Sequence, residues 1–114
     1  MSMVLKARRL DDVVILDLSG RITMGEGALV LRNNIQKLLA DGDRKVLLNL
    51  SDVNYIDSSG LGELVTSFTT VRNQGGQLKL LNLTRRVQDL LQITKLLTVF
   101  ETFNSEAEAL KTLK

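Results

Sequence analysis

The run Val46, Leu47, Leu48, Asn49, Leu50 is almost continuously apolar and sits near the middle of a chain of 114 residues. A strand wetted on one face alternates apolar with polar residues; a run without that alternation suits a strand covered on both faces, as in a parallel sheet. Parallel neighbours need crossover connections, usually helices, and the flanking stretches supply them. Upstream, Ala28, Leu31, Ile35, Leu38 and Leu39 recur at three- and four-residue spacing, which predicts a helix with one apolar face. Downstream, Leu61, Leu64, Val65, Phe68 and Val71 repeat that spacing.

The remaining segments fit around this centre. Residues 3–9 read as a weak edge strand with Lys6 and Arg8 outward, and Asp11–Asp12 turns the chain into the β-branched strand 13–18, completing a hairpin. Ser19–Gly20 is expected to end that strand, leaving 21–27 as a loop before the first helix. Asp41, Gly42 and Asp43 stop that helix, with Gly42 a natural left-handed cap. The second helix follows Ser58, ends near Asn73 and exits through Gln74, Gly75 and Gly76 into a strand at 78–83. Thr84 caps a third helix with Val87, Leu90 and Leu91 inward, and a short strand is expected at 98–100. Ser105 and Glu108 form a capping box for a last helix carrying Ala109, Leu110 and Leu113. The order ββαβαβαβα predicts an α/β fold over 1–114, a single domain. Its sheet is mainly parallel with an antiparallel N-terminal edge hairpin, and it has about four helices.

Composition narrows the chemistry. Cysteine and histidine are both absent, so thiolate nucleophiles, disulfides, the commonest general base and the commonest metal ligand are unavailable. The 15 basic and 13 acidic residues are interspersed, and the pairs Arg8–Arg9 and Arg85–Arg86 are too scattered for a phosphate-tracking stripe. With 4% aromatic residues there is no stacking platform for single-stranded nucleic acid. No apolar run approaches the ~18 residues of a membrane span, and the N-terminal residues lack a signal-peptide core. The expectation is a cytoplasmic protein with no cofactor and no metal.

Three stretches carry candidate chemistry. Gly25, Glu26, Gly27, Ala28, Leu29 and Val30 open a helix, but Val30 obstructs the close packing a dinucleotide loop needs, so these are helix-opening glycines. Ser58 and Ser59 have no histidine to activate them and no Gly-x-Ser-x-Gly context, which argues against a hydrolase. Asp57 has only Asp52 nearby as a second carboxylate and reads as a helix cap, the alternative cap being Ser58. One functional reading remains. A hydroxyl at an exposed helix N-terminus suits phosphorylation, because the helix dipole tolerates the added charge. Gly60 and Gly62 would then leave a nearly bare backbone for a partner to approach.

The string Asp57, Ser58, Ser59, Gly60, Leu61, Gly62, preceded by Leu47 through Val53 and followed by a helix, resembles the bacterial anti-sigma factor antagonists, which are single STAS domains. The opening hairpin, the Gly20 turn, the Gly75–Gly76 exit and the strand at 78–83 extend the resemblance over essentially the whole chain. The resemblance implies that Ser58 is the phosphorylated residue, with Ser59 its competitor. Asp57, Ser59, Gly60, Leu61 and Gly62, with Thr23 and Met24 of the preceding loop, would be the partner-facing junction. It implies a binding module that, unphosphorylated, holds an anti-sigma factor that is itself a serine kinase, thereby freeing a sigma factor. Phosphorylation would abolish the binding and a PP2C-type phosphatase restore it; self-association is left open. Many members carry Gly-x-Leu-Asp after the second strand, whereas this chain has Gly20, Arg21, Ile22 and Thr23, one carboxylate fewer. The alternative is a constitutive STAS scaffold or regulatory subunit of a stress-signalling assembly or an ABC-type lipid transport complex.

Overall fold

The computed structural model describes residues 3–113; Met1, Ser2 and Lys114, which the sequence reading places within the domain, lie outside the described residues. Its elements are β1 (Met3–Leu10), β2 (Val13–Ile22), α1 (Glu26–Ala40), β3 (Lys45–Ile56), α2 (Ser58–Asn73), β4 (Gln77–Leu81), α3 (Arg85–Ile93), β5 (Thr102–Phe103) and α4 (Glu106–Thr112). The strands lie side by side in chain order, β1 antiparallel to β2 and every later pair parallel. Right-handed crossovers that always step the same way along a sheet place their helices on one face. Accordingly α1, α2 and α3 pack together over Val14, Leu16, Val46, Leu48 and Leu80. The opposite face is covered by α4, where Ala109 and Leu113 meet Val13, Ile15, Leu47 and Leu81. Leu47 and Leu48 are both fully buried on opposite faces, so β3 is the doubly covered strand its apolar run predicts. Arg8 ties the edge strand down by bridging Asp17 of β2 and Glu106 of α4, each at 2.6 Å.

Four boundaries differ from the sequence expectation. β2 continues through Ile22 rather than ending at Gly20: Gly20 adopts φ +97°, the register shifts twice there, and the strand bends to bury Ile22 completely. β4 stops at Leu81, because Asn82 turns to φ +56° and donates its N–H to Phe103 O. Residues 98–100 do not pair. Phe100 is drawn inward edge-on to Phe68, ring centroids 5.2 Å apart, and the strand forms two residues later, where Thr102 and Phe103 align with Leu80 and Leu81. β3 also outruns its apolar segment to Ile56, since Val53 and Ile56 keep one side in the core.

These extensions position the site. Ile22 and Ile56 are partners in register at the ends of β2 and β3, so the helices that follow them start next to each other on the same edge of the sheet. No helix among the described residues is long and apolar enough to cross a membrane.

Candidate functional site

The junction is built around one carboxylate. Asp57 is the N-cap of α2: its backbone is extended and its Oδ1 accepts the Gly60 N–H at 2.8 Å. Its Oδ2 accepts the Met24 N–H at 3.0 Å, so the same side chain straps down the loop that leads into α1. The Asp57 N–H donates to Ile22 O at 3.3 Å, which fastens the strap to the end of β2. The two backbone donors, Met24 first and Gly60 second, hold the Asp57 carboxyl below its usual range. Of the two caps the sequence allows, Asp57 is the one used, and Ser58 is left exposed as the first helical residue.

A depressed native pKa stabilises the fold at pH above the unfolded-state value of about 3.9, and that contribution vanishes as pH falls through the native value. Asp57→Asn keeps one capping acceptor but loses the second, so it is expected to unfold at lower urea than wild type at neutral pH. Because an Asn does not titrate, the gap should narrow as pH falls through the lowered native range of the Asp57 carboxyl. A gap unchanged across that range would contradict the assigned role of the charge.

Glycine brings the helices onto the sheet edge. A Cβ at Gly60 would stand 1.9 Å from Ile22 O, and one at Gly27 would stand 2.6 Å from Arg21 O. Both helices therefore rest their first turns directly on the last residues of β2. This corrects the expectation that Gly60 offers bare backbone to a partner: it is buried against Ile22, and Leu61 is buried beside it at 7% exposure because it points into the core. Gly62, by contrast, is exposed with open space around it. The outer surface at this junction consists of Ser58, Ser59, Gly62 and Met24, with Thr23 half-buried behind it and its carbonyl accepting from Ala28 N–H.

A groove of about 510 Å³ opens between the first turns of α1 and α2, lined by Met24, Leu29, Arg32, Ser59, Gly62 and Thr66 among others. Met24 is 75% and Leu29 50% exposed, an apolar lip beside the paired serines. The floor is Glu63, only 4% exposed, whose Oε1 accepts from Arg32 Nε at 3.0 Å and forms an ion pair with its guanidinium, while Ser67 Oγ donates to Oε2 at 3.4 Å. Sequence reasoning missed Leu29, Arg32 and Glu63 as a set. Glu63 and Ser67 lie four residues apart on one helix face, the only local signal; the guanidinium comes from another helix.

The chain matches the STAS domain family model across residues 5–109. The anti-sigma-B factor antagonist of Bacillus subtilis (strain 168) is 42% identical over 74 residues, covering 65% of this chain and 67% of that protein. A Thermotoga neapolitana protein provisionally named as an anti-sigma factor antagonist is 34% identical over 101 residues, covering 89% of both chains. A crystal structure of a Thermotoga maritima protein, also provisionally described as an anti-sigma factor antagonist, superposes with a TM-score of 0.88. It is 28% identical and covers 96% of this chain and 93% of its own.

Proposed function

The chain belongs to the STAS domain family, and from that premise we propose that it is an anti-sigma factor antagonist whose binding is switched by phosphorylation of Ser58. The observation that carries this reading is the division of labour at the turn. Asp57 does the capping, so Ser58 is exposed and, among the described residues, its side chain holds no cap that a phosphate would disrupt. A phosphate there adds about −1.5 to −2 charge next to a carboxylate that already stays ionised, at a helix end whose dipole tolerates it. The fold persists in both states and the change is felt by whatever docks on this edge.

In the unphosphorylated state the exposed turn, with Met24 and the α1–α2 groove beside it, receives the anti-sigma factor, a serine kinase, and a sigma factor is released. The kinase transfers phosphate to Ser58 and lets go; a PP2C-type phosphatase resets the protein. The protein is a substrate and a binding module in this cycle, not a catalyst. Thr23, standing where many relatives carry an aspartate, leaves the unmodified surface less negative and tunes which kinase it accepts.

Ser58→Ala locks the neutral state, so this variant used as bait in its native cells is expected to retain a kinase-type anti-sigma factor. Retention of an ABC transporter subunit in its place would contradict the proposal and favour a permanent scaffold.

A further inference from the structure

Away from the groove, at the same edge of the sheet, two arginines converge on one aromatic ring. The Arg21 guanidinium lies 4.5 Å and that of Arg86 4.8 Å from the Tyr55 ring centroid. Arg21 comes from the end of β2, where it pairs in register with Tyr55 of β3, and Arg86 comes from the first turn of α3. Both are exposed. Among the described residues neither has a carboxylate within ion-pair reach, whereas Arg8, Arg9, Arg32 and Arg85 each have at least one. Two like charges gathered on a single ring without a counter-ion repel each other. The ring's negative face offsets part of that repulsion, and anionic groups paired with the guanidiniums would relieve the rest.

The surroundings say what kind of anion. Tyr55 already carries the two guanidiniums, so the ring is not an open platform for a nucleobase. Next to it lies a hollow of about 280 Å³ walled by Ile56, Leu90 and Ile93, and Ile93 is 78% exposed. Its one carboxylate, Asp89, faces Arg85 at 3.7 Å. A free phosphate would use the arginines and leave the hollow empty. A peptide bearing carboxylates beside an aliphatic side chain would use both.

We propose that Arg21, Tyr55 and Arg86, with the Ile56–Leu90–Ile93 hollow, form a docking site for an acidic segment of a protein partner, its carboxylates on the guanidiniums and an aliphatic residue in the hollow. The site uses none of the residues of the Asp57–Gly62 turn and its test uses unphosphorylated protein, so its failure and that of the switch are separable. Charge complementarity carries the recognition and the hollow fixes the register.

The test is an amide NMR titration of the full chain at physiological salt with a synthetic peptide of Glu-Glu-Leu repeats. Saturable shifts are expected at Tyr55, Arg86 and Ile93, and none with the Gln-Gln-Leu counterpart. The double variant Arg21→Gln, Arg86→Gln should lower peptide affinity about tenfold, the equivalent of an ordinary hydrogen bond lost. Arg72→Gln, another exposed arginine, should not. If the double variant perturbs the fold, each single variant carries the test with part of that loss. Shifts spread over the surface, affinity retained in the variants, or inorganic phosphate or oligothymidylate saturating the same residues better than the peptide would each overturn the proposal.

Discussion

Phosphate on Ser58 is expected to weaken binding of the anti-sigma partner about a thousandfold, with the melting temperature of the free protein unchanged. Like charges brought together across a docked surface cost several kcal/mol, and ~4 kcal/mol is that factor. The local electrostatics favour a large effect. Asp57 is held ionised by the Met24 and Gly60 N–H groups, so the dianion adds to a charge already present and does not replace it. Ser58→Glu supplies one charge and should weaken binding partially; Ser58→Ala should bind as unmodified wild type does. Calorimetric titration with the purified partner reads all three. A Ser58→Glu protein binding as tightly as wild type would remove charge interference as the mechanism.

Gly60→Ala should be the most damaging small substitution at this edge, lowering stability by about 3 kcal/mol. The added methyl would stand 1.9 Å from Ile22 O, and its obstacle is backbone held in the sheet, which has nowhere to move. Gly62 is its control. Two residues along the same helix, a Cβ there meets nothing within 4 Å, so Gly62→Ala should gain about 1 kcal/mol from helix propensity. Urea midpoints measure both. If the two substitutions behave alike, α2 is not seated on β2 as described.

That pair also shows where local sequence stops being informative. Nothing in the neighbourhood of either glycine distinguishes the one required by contact from the one that is merely tolerated, because the deciding atom belongs to Ile22, far away in sequence. The centre of the fold was legible for the opposite reason. Leu47 and Leu48 carry their burial in their own run, and the spacing of Leu61, Leu64 and Val71 needs no partner to be read. Helix-end residue types also placed Thr84 and Ser105 as caps, which the structure bears out through bonds from the Val87 and Glu108 N–H groups.

Boundaries were harder, since they depend on competition between elements. Gly20 looks like a terminator, yet pairing with β3 carries the strand past it. Residues 98–100 have strand composition, yet the core claims Phe100 first. At the site, the Ser58 hydroxyl and the Asp57 cap could be read from helix-end chemistry, but the second bond of Asp57, to Met24, could not. Nor could the pairing of Arg32 with Glu63 or the meeting of Arg21 and Arg86 on Tyr55. In each, residues of different elements meet only once the helices are laid on the sheet.

The measurement that bears most directly on the switch is an amide NMR spectrum of protein carrying phosphoserine at position 58, recorded alone and then with the unlabelled partner. Alone, shifts should move only around the turn, the loop before α1 and the first turn of α2, with the core signals of β2, β3 and β4 in place. With the partner added, those signals should neither broaden nor move, while the unmodified protein forms the complex under the same conditions. A phosphorylated protein whose core spectrum is rearranged, or one that still forms the complex, would contradict a switch built from charge on an unchanged fold.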